Sequence, residues 1–99
     1  MTPELDIRQL AYADLPQVIA IERRAFPTPW SLAMFVLELS KPSGICLAAL
    51  EEGVMVGYLV CSRYDTVWHL MNVAVDPWFT GCDPLGAIVP LAPALDVTV

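Results

Sequence analysis

The chain has 99 residues, with 5 Lys+Arg against 11 Asp+Glu and a formal net charge of −6. So short a chain is one domain at most, and its acidity excludes a nucleic-acid binder that works through its own charge. Apolar residues make up 57%, above the ~45–50% of ordinary soluble domains, which excludes disorder over most of the length.

Met1 to Arg8 carries Glu4 and Asp6 and has no basic stretch followed by an apolar run, so it does not read as a signal peptide. No segment approaches the ~18–20 apolar residues that span a bilayer, and no membrane partner is expected. Cys46, Cys61 and Cys82 are widely spaced, there is no CxxC, and His69 is the lone histidine. No metal site is expected, and a reducing cytoplasm is the simplest setting.

Leu5, Ile7 and Leu10 interleave with polar residues and predict a strand over 5–10. Asp14 reads as a helix N-cap, with Gln17 three residues on as in a capping box and Pro16 in the first turn. Leu15, Val18, Ile19, Glu22 and Phe26 then mark one face of a helix over 15–25, which Pro27 and Pro29 end. Ser31 is a second N-cap. Leu32, Phe35, Val36 and Leu39 mark the inward face of a helix over 31–40, closed by Pro42, Ser43 and Gly44. Three strand-like runs follow at 45–51, 54–63 and 67–75, joined by Glu52-Gly53 and Asp65-Thr66. Connections this short make an antiparallel meander. The expected class is α+β, in the order β-α-α-β-β-β.

The character changes after that. No Lys or Arg follows Arg63, and residues 78–99 carry Pro84, Pro90 and Pro93 with two charges, both acidic. That stretch reads as an irregular tail or a weak extra strand.

The element order, IERRAFPTPWS at 21–31 and HLMNVAVDP at 69–77 together resemble the GNAT superfamily of acetyl-CoA-dependent N-acetyltransferases. Within it the likeness is to the bacterial enzymes that acetylate the N-terminal alanine of a ribosomal protein. It covers about residues 5–77, so the expectation is a partial domain over 1–77, the N-terminal half of a GNAT fold, and an atypical tail over 78–99. The resemblance implies acetyl-CoA as co-substrate, its pantetheine arm pairing with the backbone of Val73, Ala74 and Val75. It implies Phe26, Pro27 and Trp30 as the wall of the acceptor pocket and a protein N-terminus as acceptor.

Departures accompany the match. Where the family has a basic, glycine-rich run that cradles pyrophosphate at a helix start, this chain reads DPWFTGCDPLGA. Gly81 and Gly86 remain, Asp83 repels phosphate and Pro84 removes a donor. No residue matches the family's general acid or base, so no catalytic residue is assigned, and the chain is expected to be inactive alone. The break at 78 reads as a shift of frame near Thr80. A half-fold would also leave the fourth strand as an open edge with its apolar cover lost, which predicts a homo-oligomer or a non-catalytic interaction fragment. The remaining reading is a small-amine acetyltransferase completed by a partner chain.

Other reactive side chains read as structure first. Glu22 is expected to pair with Arg8 or Lys41, or else to stand near the amine pocket. Cys46 and Cys61 read as small buried hydrophobes, His69 as an ordinary strand residue, and Tyr58 and Tyr64 as packing residues. Trp30 is a pocket wall or a staple for the second helix.

Overall fold

The computed structural model describes residues 5–78 and 97–98. Four antiparallel strands run in chain order: β1 (Asp6–Gln9), β2 (Gly44–Glu51), β3 (Val54–Tyr64) and β4 (Val67–Val75). Two helices, α1 (Leu15–Ala25) and α2 (Leu32–Ser40), lie between β1 and β2 in sequence. The fold is α+β, as expected. A two-residue strand, β5 (Val97–Thr98), lies parallel to β4 against Trp68 and His69. Apart from Trp78 and this strand, the tail over 78–99 and its loop glycines fall outside the described residues.

The helices share one core with one face of the sheet. Val18, Ile21 and Phe35 meet Ala48, Tyr58, Val60 and Ala74 there, all buried. Ala49, Val56, Leu59 and Cys61 form a second cluster, and they too are buried. Side chains of the neighbouring strands, including Ile7, Leu47, Trp68, Leu70 and Val73, pack over it.

Local chemistry explains the helix boundaries. Ser31 caps α2, its hydroxyl accepting from the Met34 N–H at 3.4 Å. Asp14 does not cap α1. A 3-10 turn, Tyr12–Asp14, precedes that helix, and the Asp14 carboxylate accepts instead from the Ala11 N–H at 2.8 Å and from both ends of Arg8 at 2.7 Å. Gln17 makes no capping box either, because its side-chain oxygen accepts the Met55 N–H at 3.1 Å. The inward face of α2 also differs from expectation. Phe35 and Glu38 are buried, while Leu32 is 54% and Val36 39% exposed. Glu38 is drawn inward by the Ser62 hydroxyl at 2.7 Å and by Lys41 at 2.9 Å, which turns the helix about its axis.

One irregularity in the sheet matters most for function. Val60 faces Asn72 and Cys61 faces Leu70, so Met71 is the extra residue of a β-bulge. Strict alternation would put Asn72 on the face of Trp68 and Leu70. The bulge reverses the phase. Trp68, Leu70 and Val73 pack on the second face, whereas Met71 and Ala74 join the helical face. Asn72 goes with them and reaches α1.

Candidate acyl-CoA and acceptor site

Val73, Ala74 and Val75 are the last three residues of β4, opposite Leu59, Tyr58 and Gly57 of β3. The Asp76 N–H donates to the Val56 carbonyl at 2.8 Å, so it points toward β3. Backbone groups of a strand alternate sides, which turns Ala74 toward β3 and Val73 and Val75 away from it. On that outer side β5 reaches only Trp68 and His69. Among the described residues, Val73 and Val75 therefore offer backbone donors and acceptors at an open edge. The Ala74 side chain is buried against the helices.

Phe26 and Trp30 are half-buried against the helical core, and Pro27 between them is exposed. Trp30 packs on Phe35 at 5.1 Å between ring centres, and Phe35 meets Tyr58 edge-on at 5.8 Å. This aromatic row runs from the turn to the middle of β3. Trp30 thus braces the start of α2 while lying beside the turn.

Glu22 connects these parts. It lies one turn before the end of α1 and is 2% exposed. Its Oε1 accepts from the Tyr58 hydroxyl and from Asn72 Nδ2, the latter at 2.8 Å. Its Oε2 accepts the backbone N–H of Trp30 at 2.8 Å. No cation is bonded to it among the described residues, which corrects the expected pairing. Arg8 is bound to Asp14, and Lys41 to the nearer Glu38. Tyr58, assigned to packing from sequence, is also a donor. Burial and then the Glu22 carboxylate push its phenol far above the usual range, so it keeps its proton and holds Glu22.

The end of β4 is clamped separately. Arg24 donates to both oxygens of Asp76, at 3.1 and 2.6 Å, and its guanidinium lies 4.0 Å over the Trp78 ring. Burial alone would raise the Asp76 carboxyl. The bonds from Arg24 and the Trp78 N–H outweigh it and hold the group below its ordinary value.

Cys46 and Cys61 are not activated. Burial, then Glu38 and Cys61, push the Cys46 thiol up to about 11, and burial raises Cys61. His69 stands edge-on to Tyr64 at 5.4 Å. Among the described residues no cluster of three or more His, Cys, Asp or Glu could hold a metal, and no helix is long and apolar enough to cross a membrane.

Asn72 was missed from sequence. Its signal was modest, a lone amide in the apolar run LMNVAV, and the bulge that aims it leaves no mark in composition.

The fold is shared with known proteins. The chain superimposes on the ribosomal-protein-S18-alanine N-acetyltransferase of Escherichia coli with a TM-score of 0.69 and 28% identity, over 75% of this chain and 47% of that one. It also matches GphF, a GNAT-like decarboxylase in complex with isobutyryl-CoA (TM-score 0.76, 23% identity, 87% of this chain and 56% of that one). The PaiA N-acetyltransferase of Thermoplasma acidophilum in complex with coenzyme A matches at 0.67 and 17% identity, over 89% of this chain and 68% of that one. The last two likenesses are of fold alone. The chain spans about half the length of the first two of these structures. No curated protein matches it. The model of the acetyltransferase (GNAT) family matches residues 15–82, and the chain belongs to that family.

Proposed function

We propose that this chain carries the thioester strand and the acceptor wall of an N-acetyltransferase acting on a protein N-terminal α-amine, with the alanine of a ribosomal protein as acceptor in the cytoplasm. The observation that carries the reading is a β4 edge at Val73–Val75, unpaired on its outer side among the described residues and tied through Glu22 to the Phe26–Trp30 turn. The 28% identity with the S18-alanine enzyme supports the acceptor class. Acetyl-CoA, when bound, supplies the acetyl thioester. The N–H groups of Val73 and Val75 hold the pantetheine arm and favour negative charge developing on the thioester oxygen. Phe26, Pro27 and Trp30 wall the amine, and the prolines at 27 and 29 limit what the wall loses on ordering. The acetyltransferase part is 1–77, with 78–99 a distinct tail. No residue here is assigned as acid or base, so transfer by the chain alone is expected to be at most very slow.

The test is calorimetry with acetyl-CoA on the full chain, together with transfer assays on an alanine-terminated peptide and a small primary amine. Micromolar binding that Val73→Pro weakens at least ten-fold supports the reading, since proline at an edge position removes an outward N–H and leaves the β3 ladder intact. Absence of binding overturns it. Acetylation of the small amine in preference to the peptide overturns the acceptor assignment.

A further inference from the structure

We propose that Glu22 is the positioning residue of the acceptor side: through its two oxygens one buried carboxylate fixes the Phe26–Trp30 turn to Asn72 of β4. The proposal rests on the reading of β4 and the turn given above and adds what sets the spacing between them.

The geometry is specific. The turn leaves α1 at Phe26, whose N–H still bonds the Glu22 carbonyl at 3.0 Å. Four residues later the chain returns, and the Trp30 N–H meets the Glu22 side chain at 2.8 Å. One residue therefore holds both ends of the wall. Its other oxygen takes Asn72, the residue before Val73, and Tyr58 on the intervening strand. The Tyr58 hydroxyl, the Asn72 amide and the Trp30 backbone N–H all donate to it, so the hub is an acceptor at both oxygens. Only a carboxylate meets that condition. A carboxamide has one oxygen and one NH2. Turned one way it opposes the Trp30 N–H, and turned the other way it keeps that bond only if the Tyr58 hydroxyl rotates to accept and the Asn72 amide flips. Three bonds already engage Glu22, which suits an anchor better than a base that must receive the amine proton.

The test is amide hydrogen exchange by NMR on the full chain without ligand, followed by kinetics. Glu22→Gln is expected to speed exchange at the Trp30 N–H roughly ten-fold or to shift the Asn72 side-chain amide signals, while the Ile21 and Tyr58 amides keep their rates. Unchanged Trp30 exchange and unchanged Asn72 signals overturn the proposal. Should Glu22→Gln fail to fold, Asn72→Ala is read instead. It spares the Trp30 bond but frees the carboxylate, so Trp30 exchange should rise several-fold, and an unchanged rate overturns the proposal. In the transfer assay both variants should raise the peptide KM about ten-fold and leave the acetyl-CoA KM unmoved. An equal rise in both constants would mean a general loss of structure and would also overturn it. If the wild-type chain binds no acetyl-CoA, the functional reading fails, while the exchange result still decides the role of Glu22.

Discussion

Glu22 and Glu38 make an instructive pair. Each sits near the C-terminal end of its helix, each is buried (2% and 7% exposed), and each accepts from a hydroxyl on β3, Tyr58 or Ser62. They differ in what completes the set. Glu38 has the ammonium of Lys41 at 2.9 Å, three residues along. Glu22 has neutral donors from β3, β4 and the turn. The first is a local closure that ends a helix. The second ties segments distant in sequence, and it does so beside the Val73–Val75 end of β4. An ion pair can end a helix anywhere, but fixing a turn against a distant strand needs directional bonds.

Removing each hub should separate the two roles. Glu22→Leu leaves the Tyr58 hydroxyl, the Asn72 amide and the Trp30 N–H without their acceptor. At ~1–3 kcal/mol for each buried unsatisfied group, the expected loss is about 4 kcal/mol, read as a shift in the urea midpoint. Glu38→Ala strands only the Ser62 hydroxyl, because half-exposed Lys41 can turn to water. A loss of about 2 kcal/mol is expected. If Glu38→Ala proves the costlier, Glu22 is not the stronger anchor of the two. Tyr58→Phe removes one donor from Glu22 and should cost about 1.5–3 kcal/mol, as hydrogen bonds to charged groups do.

Much of this was legible in the residues. The order of elements, the Ser31 cap and both hairpins follow from periodicity and turn chemistry, which are local. The face of α1 was nearly right, although Ile21 is buried and was not named. The partners of Glu22 were not legible. They depend on the phase reversal at Met71, and a bulge is set by pairing across strands. The α2 face failed for a related reason. Leu32 and Val36 look like core by spacing, but Glu38 has polar partners on β3 and turns inward, leaving two hydrophobes in water. Asp14 misled because a carboxylate before a helix is usually a cap, and here Arg8 on the preceding strand competes for it.

The ion pairs make stability depend on pH. Side-chain bonding from Arg8 holds the Asp14 carboxyl below its ordinary value of 3.8 against the cost of burial, with the Ala11 N–H assisting. Asp76 is lowered as well, by Arg24 and the Trp78 N–H over the opposing effect of burial. A depressed folded-state value means the stabilisation is complete above 3.8 and is lost as pH falls through the lower folded value. Acid titration of the melting temperature should therefore show a decline that begins near pH 4. Asp14→Asn and Asp76→Asn should each make that decline shallower, at the cost of lower stability at neutral pH. A wild-type profile flat down to pH 2 would rule out a net contribution from either pair.

The smallest effect lies at the β2–β3 turn, far from both hubs in chemistry. Glu52 and Gly53 both have positive φ, 50° and 81°, as a two-residue hairpin turn with the sheet's own twist requires. Glycine adopts that conformation freely, but glutamate does not. Glu52→Asn places at the first position a residue that tolerates left-handed backbone and converts the turn to Asn-Gly. It should raise stability by about 0.5–1 kcal/mol and leave acetyl-CoA binding unchanged. Glu52 also lines a shallow groove with Asp76 and Trp78, so removing its charge reads out a second quantity. Weaker binding in Glu52→Asn would mean that this turn communicates with the end of β4 after all. The anchoring of the site would then extend beyond Glu22 and Asn72 to the far side of β3.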